Sequence, residues 1–358
     1  MKKQNVLILV NSSDDGPFGI RAKGMVRYFE NIDYKILYRK SKLSSMFRFL
    51  LSALTGRERV IYVINVAYSG IIAGLAAKLF LRKKLIIDIG DINYKLFKLI
   101  GKNFFICFLE RALEYLALSC SDIIVRGKYF KDYLEARGYE NVYYIPDGVD
   151  VDKFRPLDVS ALKKKLAPNN ELIVGIVGSL IWVKTLDLCY GWDLVEMLNI
   201  LKKEHIRGVI IGDGTGKKKL EQRVKEYGIE DKVLFTGWLP YYKLPEYINS
   251  FDVCLSLQTN NLIGWLRTTA KLPLYLSCGK YVLATDVGGA HWLLLPHMRL
   301  EYRGERDFEY PERLARAVRE ILSDRSLLES ASKNRDIALK NFDYRNLSRK
   351  LQGILVNM

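Results

Sequence analysis

Short runs of consecutive apolar residues, rich in Val and Ile, alternate along the chain with stretches of helical periodicity. Strands that are hydrophobic at every position are typical of parallel sheets that helices cover on both faces. The first series of these runs comprises residues 5–11, 34–39, 60–65, 84–90, 122–127 and 141–147. This series predicts a doubly wound α/β domain.

The same pattern restarts after a segment rich in Pro, Gly and Asp, IPDGVDVDKFRP at residues 145–156. The second series comprises residues 171–179, 208–214, 232–238, 252–258 and 281–287. We therefore predict an α/β chain of two tandem Rossmann-like domains, residues 1–155 and 156–340, joined by this connector. The apolar residues of the last segment, 342–355, have near-helical spacing and predict a packed terminal helix.

The longest apolar stretch, residues 60–81, raises the question of a membrane span. Asn65, Ser69, Gly70 and Lys78 interrupt it, so we predict a buried strand followed by an apolar helix. The run at residues 5–11 is too short for a secretory signal and leads into a polar glycine loop. It predicts a first strand.

The five cysteines are odd in number and include no CxxC pair, and the chain has three histidines. This composition argues against a disulfide framework and a metal centre and favours a reducing, cytoplasmic compartment. The net charge of +16 is concentrated near the N-terminus, where residues 1–105 hold 19 Lys/Arg against 7 Asp/Glu. The excess predicts an anionic partner, either nucleic acid or a membrane surface.

Residues 38–59 and 92–111 combine basic side chains with apolar ones at helical spacing. Such segments can lie in an anionic headgroup layer, although ordinary core-packing helices with basic outer faces would have the same pattern. No nucleic-acid-binding motif accompanies the charge. We therefore expect a peripheral membrane protein and no nucleic-acid partner.

Ligands of doubly wound sheets bind beyond the carboxyl ends of the strands. Gly16 and Gly19 follow the first strand and precede a predicted helix, where backbone amides could hold a phosphate or simply form the turn. The segment Gly212–Gly214, which includes Asp213, follows a strand of the second domain. It allows the same two interpretations.

Cations also collect near predicted strand ends of the second domain. Ser179 follows the first strand there, and Lys184 is either a phosphate contact or an ordinary surface lysine. Two cations and two hydroxyls lie together at a predicted helix start: Arg267, Thr268, Thr269 and Lys271. Amides, helix dipole and charge-assisted hydrogen bonds suit such a group to a pyrophosphate.

Carboxylates for acid–base chemistry are scarce at the strand ends of the first domain. Asp88 and Asp91, in the sequence DIGD, are expected to face the cleft and to contact the acceptor or act as a base. Alternatively, Asp91 caps a helix. The DVD sequence at Asp150–Asp152 has the form of a metal-binding DxD motif, but it lies in the connector, and we interpret it as structural.

Four segments occur in the order and spacing of a known family: IPDGVDVDKFRP, GDGTGKKKLE, VLFTGWLPYYKLPEYINSFDVCLSL and SCGKYVLATDVGG. With them the chain resembles, over nearly its whole length, the GT-B fold glycosyltransferases of family 4. The resemblance implies a UDP- or GDP-sugar donor on the second domain, an acceptor on the first, and retention of anomeric configuration. It also implies that residues 341–358 cross back to the first domain.

The chain departs from that family at several positions. The family's two glutamates, which have seven residues between them, fall at Leu266 and Leu274, and its phosphate-loop arginine falls at Ser179. The family's partner lysine corresponds to Lys184. The first domain contains no histidine, whereas the family has one near the sugar.

The sequence thus predicts a peripheral glycosyltransferase, a hexosyltransferase at the inner face of the cell membrane, with a lipid-linked or polysaccharide acceptor. Lys184, Arg267 and Lys271 would neutralise the leaving diphosphate, so no metal cofactor is expected. Backbone amides near Gly16, Gly19 and Gly288 would orient phosphate and sugar. The alternatives are a non-catalytic GT-B scaffold that has lost the donor-site acids and, less favoured, a nucleotide-sugar epimerase.

Overall fold

Two six-stranded sheets, in which every strand pairing is parallel, form the framework of the protein. The computed structural model describes residues 3–358. The N-terminal sheet has the order β2-β1-β3-β4-β5-β6. Its strands are β1 (Gln4–Val10), β2 (Ile32–Tyr38), β3 (Val60–Ile64), β4 (Lys84–Ile89), β5 (Asp122–Val125) and β6 (Val142–Tyr144).

The C-terminal sheet has the order β12-β11-β10-β7-β8-β9. Its strands are β7 (Leu172–Val177), β8 (Ile206–Ile211), β9 (Val233–Gly237), β10 (Val253–Ser256), β11 (Tyr281–Thr285) and β12 (Arg299–Leu300). The prediction of two Rossmann-like α/β units is confirmed. The two-residue strand β12 was not predicted, because it is too short to have a hydrophobic period of its own.

Helices follow nearly every strand. Those of the N-terminal domain are α1 (Pro17–Val26), α2 (Lys42–Thr55), α3 (Tyr68–Leu81), α4 (Asn93–Leu99), α5 (Phe104–Ser119) and α6 (Lys128–Glu135). Those of the C-terminal domain are α7 (Ser160–Leu166), α8 (Trp192–Ile200), α9 (Lys217–Tyr227), α10 (Leu244–Ser250), α11 (Leu262–Leu266), α12 (Lys271–Ser277), α13 (Gly289–Leu293), α14 (Tyr310–Ser323) and α15 (Asn334–Phe342). The chain ends with α16 (Tyr344–Val356), and 3-10 turns occur at Glu230–Lys232, Tyr241–Lys243, Pro296–Met298 and Arg325–Lys333.

The N-terminal sheet buries both of its faces, which explains the continuous hydrophobicity of its strands. Along β1, Leu7 and Leu9 belong to one core cluster, whereas Val6, Ile8 and Val10 belong to the opposite one. Helices α2, α3, α5 and α6 contribute to the first cluster, and α1 and α16 cover the second.

The C-terminal helix α16 packs on the N-terminal domain although the preceding helix belongs to the C-terminal domain. Tyr344, Leu347 and Leu351 lie in the N-terminal core, whereas Phe342 lies in the C-terminal core. Between them Asp343 caps α16 by accepting a hydrogen bond from the backbone amide of Arg345. The chain therefore crosses between the domains within three residues.

The apolar stretch at residues 60–81 forms strand β3 and helix α3, as predicted. Across residues 3–358, every helix is too short or too polar to traverse a bilayer.

Each sheet has a point where the loops after adjacent strands leave in opposite directions, and such points are where doubly wound folds bind ligands. In the C-terminal sheet this point lies between β7 and β10. In the N-terminal sheet it lies between β1 and β3, where Asn11 donates a hydrogen bond to the Asn65 carbonyl and accepts one from Ser69.

Candidate active site

A cavity of about 350 Å³ opens at the crevice between β7 and β10 and faces helix α4 of the other domain. Helix α4 is held in place by Glu114 of α5, whose carboxylate accepts a hydrogen bond from the Tyr94 backbone amide. Burial raises the pKa of Glu114 to about 8. The polar side chains of the cavity come from the C-terminal domain and include Ser179, Asp193, Gln258, Arg267, Thr269 and Lys271, while α4 contributes Leu96 and Leu99.

Lys271, the first residue of α12, is a half-buried cation of this cavity. Its Nζ lies 4.3 Å from the centroid of the Tyr190 ring. Gly178 is needed for this position, because a Cβ there would come within 2.6 Å of Lys271 Cε. Within residues 3–358 the ammonium makes no ion pair with a carboxylate. Burial, and then the nearby Arg267, lower the pKa of Lys271 to about 8.

Arg267 lies beside Lys271 and reaches across the cleft. Its Nε and Nη2 lie 2.6 and 2.5 Å from Oδ1 of Asp91, which follows β4 in the N-terminal domain. Its backbone carbonyl accepts a hydrogen bond from the amide of Gly289. Gly288 has a φ of +60°, and a Cβ there would lie 2.5 Å from the Arg267 carbonyl oxygen. The DVGG loop thus fixes the backbone of Arg267, a role in which only glycine fits.

Two cations and two carboxylates therefore lie at or beside this cavity: Asp91 pairs with Arg267, whereas Asp193 and Lys271 line the cavity and make no ion pair within residues 3–358. A buried unpaired ammonium is costly, and the cost falls when an anion enters. The arrangement suits an anion with several oxygens, which could accept hydrogen bonds from both side chains.

The expectation that Asp88 faces the cleft is wrong. Its carboxylate is fully buried: Oδ2 accepts from Arg21 Nε at 2.8 Å and from the Tyr62 hydroxyl at 2.6 Å, and Oδ1 accepts from Arg126 Nε at 2.9 Å. Burial opposes its ionisation, but the two guanidinium groups and the hydroxyl hold its pKa below the ordinary value. Asp88 has no lone pair directed to a substrate, and we assign it a structural role.

Asp91 does reach the cleft, as predicted. The N-cap position of α4 is occupied by Ile92, which precedes the helix. The Asp91 carboxylate pairs with Arg267 instead of capping the helix.

Several predicted donor residues lie outside the cavity. Lys184 is exposed, and its side chain lies beside Gly101 of the N-terminal domain, where a Cβ would be 3.8 Å from Lys184 Cδ. Thr268 is buried with its hydroxyl against Gly289, whereas its neighbour Thr269 lines the cavity. The expectation of a cation and hydroxyl cluster is thus met by Arg267, Thr269 and Lys271, without Lys184 and Thr268.

The glycines predicted to contact phosphate serve the packing of their own loops. Gly19 lies inside α1, and a Cβ there would lie 2.4 Å from the Ser13 carbonyl oxygen, while Gly16 precedes the helix as its N-cap residue. Gly212 has a φ of +143°, and a Cβ there would come within 1.8 Å of the Gly178 carbonyl oxygen.

The next two residues of that loop also stay outside the cavity. Gly214 has a φ of +157° and packs against Leu180. The Asp213 carboxylate accepts a hydrogen bond from the Gly214 amide.

Leu266 and Leu274 are both buried, which explains why these positions carry no acid. Leu266 joins the core cluster of the N-terminal domain. Its carbonyl oxygen lies so close to Gly127 of that domain that a Cβ at Gly127 would come within 1.7 Å of it. Leu274 lies in the core of the C-terminal domain. A carboxylate at either position would be buried among apolar side chains.

The polar cavity residues that were missed in the sequence are Tyr190, Asp193, Gln258, Thr259 and Tyr302. Tyr190 lies near the end of a long loop between β7 and α8, which the Arg306 guanidinium holds by donating to the Leu186 carbonyl, and Asp193 lies in the first turn of α8. The sequence signal for Asp193 was its position two residues after Gly191, in the first turn of the helix that follows the first strand of the domain.

Residues 159–336, half of the chain, match the family model described as Glycosyl transferases group 1. The chain belongs to the group 1 glycosyltransferases. It is 30% identical over 152 residues to 2-deoxystreptamine glucosyltransferase of Streptomyces kanamyceticus, a match that covers 40% of this chain and 36% of that protein. It is 27% identical over 170 residues to the phosphatidylinositol N-acetylglucosaminyltransferase gpi3 subunit of Schizosaccharomyces pombe, covering 47% of this chain and 34% of that protein.

These matches span about a third of the length of either relative. Over the whole chain, the fold of this group 1 glycosyltransferase is that of Anabaena HepE, solved in complex with UDP-glucose. The two share a TM-score of 0.75 and 16% sequence identity, with 99% of this chain and 100% of that chain covered. The GT-B fold expected from the sequence is therefore confirmed.

The lowered pKa of Lys271 predicts a pH dependence for anion binding. In the free protein the ammonium loses its proton near pH 8, and a bound anion favours the protonated form. Affinity for a nucleoside diphosphate should therefore be constant below pH 7 and then fall by up to about tenfold per pH unit above pH 8. Titration calorimetry between pH 6.5 and 9.5 measures this dependence.

Lys271→Arg is the control, because a guanidinium keeps its charge throughout this range. The stability of the free protein should depend on pH in the opposite direction from the affinity. Because folding lowers the pKa of Lys271 from 10.5 to about 8, the free energy of unfolding should rise as the pH increases from about 8 to 10.5. A flat affinity profile in the parent protein would contradict the assignment.

Proposed function

We propose that this protein transfers a sugar from a nucleoside diphosphate sugar to an acceptor. The observation that carries the proposal is the half-buried Lys271, which makes no ion pair within the described residues and lies beside Arg267 in a cavity at the β7/β10 crevice. Membership of the group 1 glycosyltransferases supports this function, and the HepE complexes with UDP and UDP-glucose favour a uridine nucleotide over a guanosine nucleotide.

In this proposal Lys271 and Arg267 bind the diphosphate and stabilise the negative charge that develops on it as the glycosidic bond breaks. Arg267 would exchange its contact with Asp91 for the diphosphate, and the released Asp91 carboxylate would then face the acceptor as a base. We propose retention of configuration, and charge neutralisation by the two side chains without a metal ion.

A thermal-shift screen of UDP- and GDP-sugars, followed by a transfer assay with the sugar labelled, tests the proposed function. A nucleotide sugar that stabilises the protein and yields a labelled product is the expected result. The burial of Leu266 and Leu274 favours a second candidate, a non-catalytic scaffold. Stabilisation by a partner protein but by no nucleotide sugar would support the scaffold and reject the transferase.

We further propose that the acceptor is lipid-linked and that the protein works at a membrane surface. The gpi3 relative is a phosphatidylinositol N-acetylglucosaminyltransferase subunit, which supports a lipid acceptor. The main support is an apolar face on the N-terminal domain. Its exposed residues are Leu43, Phe47 and Leu51 of α2, Leu79, Phe80 and Leu81 of α3, and Phe104, Phe105, Phe108 and Leu109 of α5.

This apolar face is continuous, because α3 packs against both α2 and α5. Phe104 is 85% exposed and Phe80 is 73% exposed, whereas water-soluble surfaces rarely keep so many large apolar groups together. Exposed basic residues occur on these helices or in the segments that adjoin them: Lys40, Arg57, Lys78, Arg82, Lys98, Lys102 and Arg111. Exposed apolar groups together with nearby cations fit an anionic bilayer surface rather than another protein.

Replacement of Phe104, Phe105 and Phe108 by Ser should weaken binding to phosphatidylglycerol-containing vesicles by at least about tenfold. Each exposed phenylalanine that enters the bilayer contributes roughly 1.5–3 kcal/mol. Co-sedimentation with vesicles of defined composition measures this loss. Phe308→Ser, at an exposed phenylalanine of the C-terminal domain, is the matched control and should change nothing. A parent protein that stays in solution beside anionic vesicles would contradict the proposal.

A further inference from the structure

We propose that Asp193 and Gln258 recognise a pair of neighbouring hydroxyl groups on the donor, either on the transferred sugar or on the ribose. This inference rests on the proposed function. The two side chains line the same cavity as Lys271 and Arg267. They supply a carboxylate and an amide oxygen as acceptors, whereas Leu266 and Leu274 lie in the domain cores and supply none.

Asp193 is the second residue of α8 and has no direct hydrogen-bond or ion-pair partner anywhere in the described chain. The charged groups nearest to it are Glu196, Asp307 and Arg306. An acid in a first turn can stabilise its helix through the dipole. Stabilising the helix does not require the carboxylate to line a cavity, whereas Asp193 does line this one.

Gln258 follows strand β10 and provides an independent indication. Its backbone amide donates to the Thr285 hydroxyl, which fixes the position of the residue. Its side-chain Oε1 is buried and lacks a hydrogen-bond partner within the described part of the chain. A buried oxygen without a donor is unfavourable, so a ligand hydroxyl that donates to it would be bound selectively.

The chemistry of the cavity therefore divides into two parts. Lys271 and Arg267 donate hydrogen bonds and carry positive charge, whereas Asp193 and the Gln258 carbonyl accept hydrogen bonds. A nucleoside diphosphate sugar complements both parts, because its phosphate oxygens accept hydrogen bonds and its hydroxyl groups donate them. Inorganic diphosphate complements only Lys271 and Arg267.

The test is titration calorimetry on the full chain with UDP, UDP-glucose and 2′-deoxy-UDP and with the corresponding guanosine compounds. We expect Asp193→Asn and Gln258→Leu each to weaken the hydroxyl-dependent part of binding by about 10- to 100-fold. If the variants lose affinity only for the nucleotide sugar, the two side chains recognise hydroxyl groups of the sugar. If they lose affinity for UDP or GDP but not for the 2′-deoxy form, the two side chains recognise the ribose.

Glu221→Gln is the control, because Glu221 is an exposed acid of the same domain that contacts Lys217 outside the cavity. It should leave all affinities unchanged. Thermal melting without ligand separates a loss of fold from a loss of recognition, and Gln258→Leu provides a second test if Asp193→Asn unfolds. Equal affinities of the parent and both variants for every probe would overturn this inference alone. Failure of the parent protein to bind any probe would overturn the proposed function as well.

Discussion

Lys271→Ala should reduce the affinity for UDP by about 100-fold or more, with little change in the stability of the free protein. Removing one partner from a buried charged contact costs about 2–5 kcal/mol of binding energy. In the free protein the Lys271 ammonium has no counter-ion, so its removal leaves no partner unsatisfied. Titration calorimetry at pH 7, where the ammonium is protonated, measures the effect.

Lys184→Ala is the control for this experiment, since Lys184 is exposed and lies outside the cavity. Its affinity for UDP should match that of the parent protein. The reverse result, in which Lys184→Ala abolishes binding and Lys271→Ala does not, would contradict the role of Lys271 and leave Lys184, which the sequence also predicted, as the lysine that binds the diphosphate.

Asp88→Ala should lower the free energy of unfolding by about 3–5 kcal/mol, because it leaves two buried guanidinium groups, those of Arg21 and Arg126, with Asp147 as their one remaining carboxylate partner. Arg21 is almost fully buried, and its Nε donates to Asp88, as does Nε of the largely buried Arg126. The Tyr62 hydroxyl would also lose its acceptor. Urea denaturation followed by circular dichroism gives the difference.

Asp91→Ala is the matched control, because the Asp91–Arg267 pair is partly exposed and its loss should cost less than about 1 kcal/mol. If Asp88→Ala were as stable as the parent protein but could not transfer sugar, Asp88 would be a catalytic group and the structural role given to it here would be wrong.

The fold could be predicted from the sequence because parallel strands covered on both faces produce uninterrupted apolar runs. Eleven of the twelve strands coincide with such runs, and their ends differ by only a few residues from those predicted. The missing strand, Arg299–Leu300, pairs at the sheet edge with Ala284 and Thr285 and has too few residues for a pattern.

The site could be predicted only in part, because side-chain direction and distant partners do not appear in local patterns. Arg267 and Lys271 are close in the sequence, so their grouping was visible. One partner of Asp88 is Arg21, 67 residues away, and nothing near Asp88 indicated that its carboxylate was already satisfied. Lys184 was predicted to bind the diphosphate together with Lys271, yet the side chain of Lys184 lies beside Gly101.

The burial of Leu266 in the opposite domain has a consequence for how far the two halves of the molecule can separate. Wide opening of the cleft would pull this side chain out of an apolar pocket into water, at a cost of roughly 1.5–3 kcal/mol. We therefore expect the donor to enter through a small separation of the two domains rather than through a large hinge rotation. Leu266→Glu would bury a carboxylate among apolar side chains and should therefore force the two domains apart.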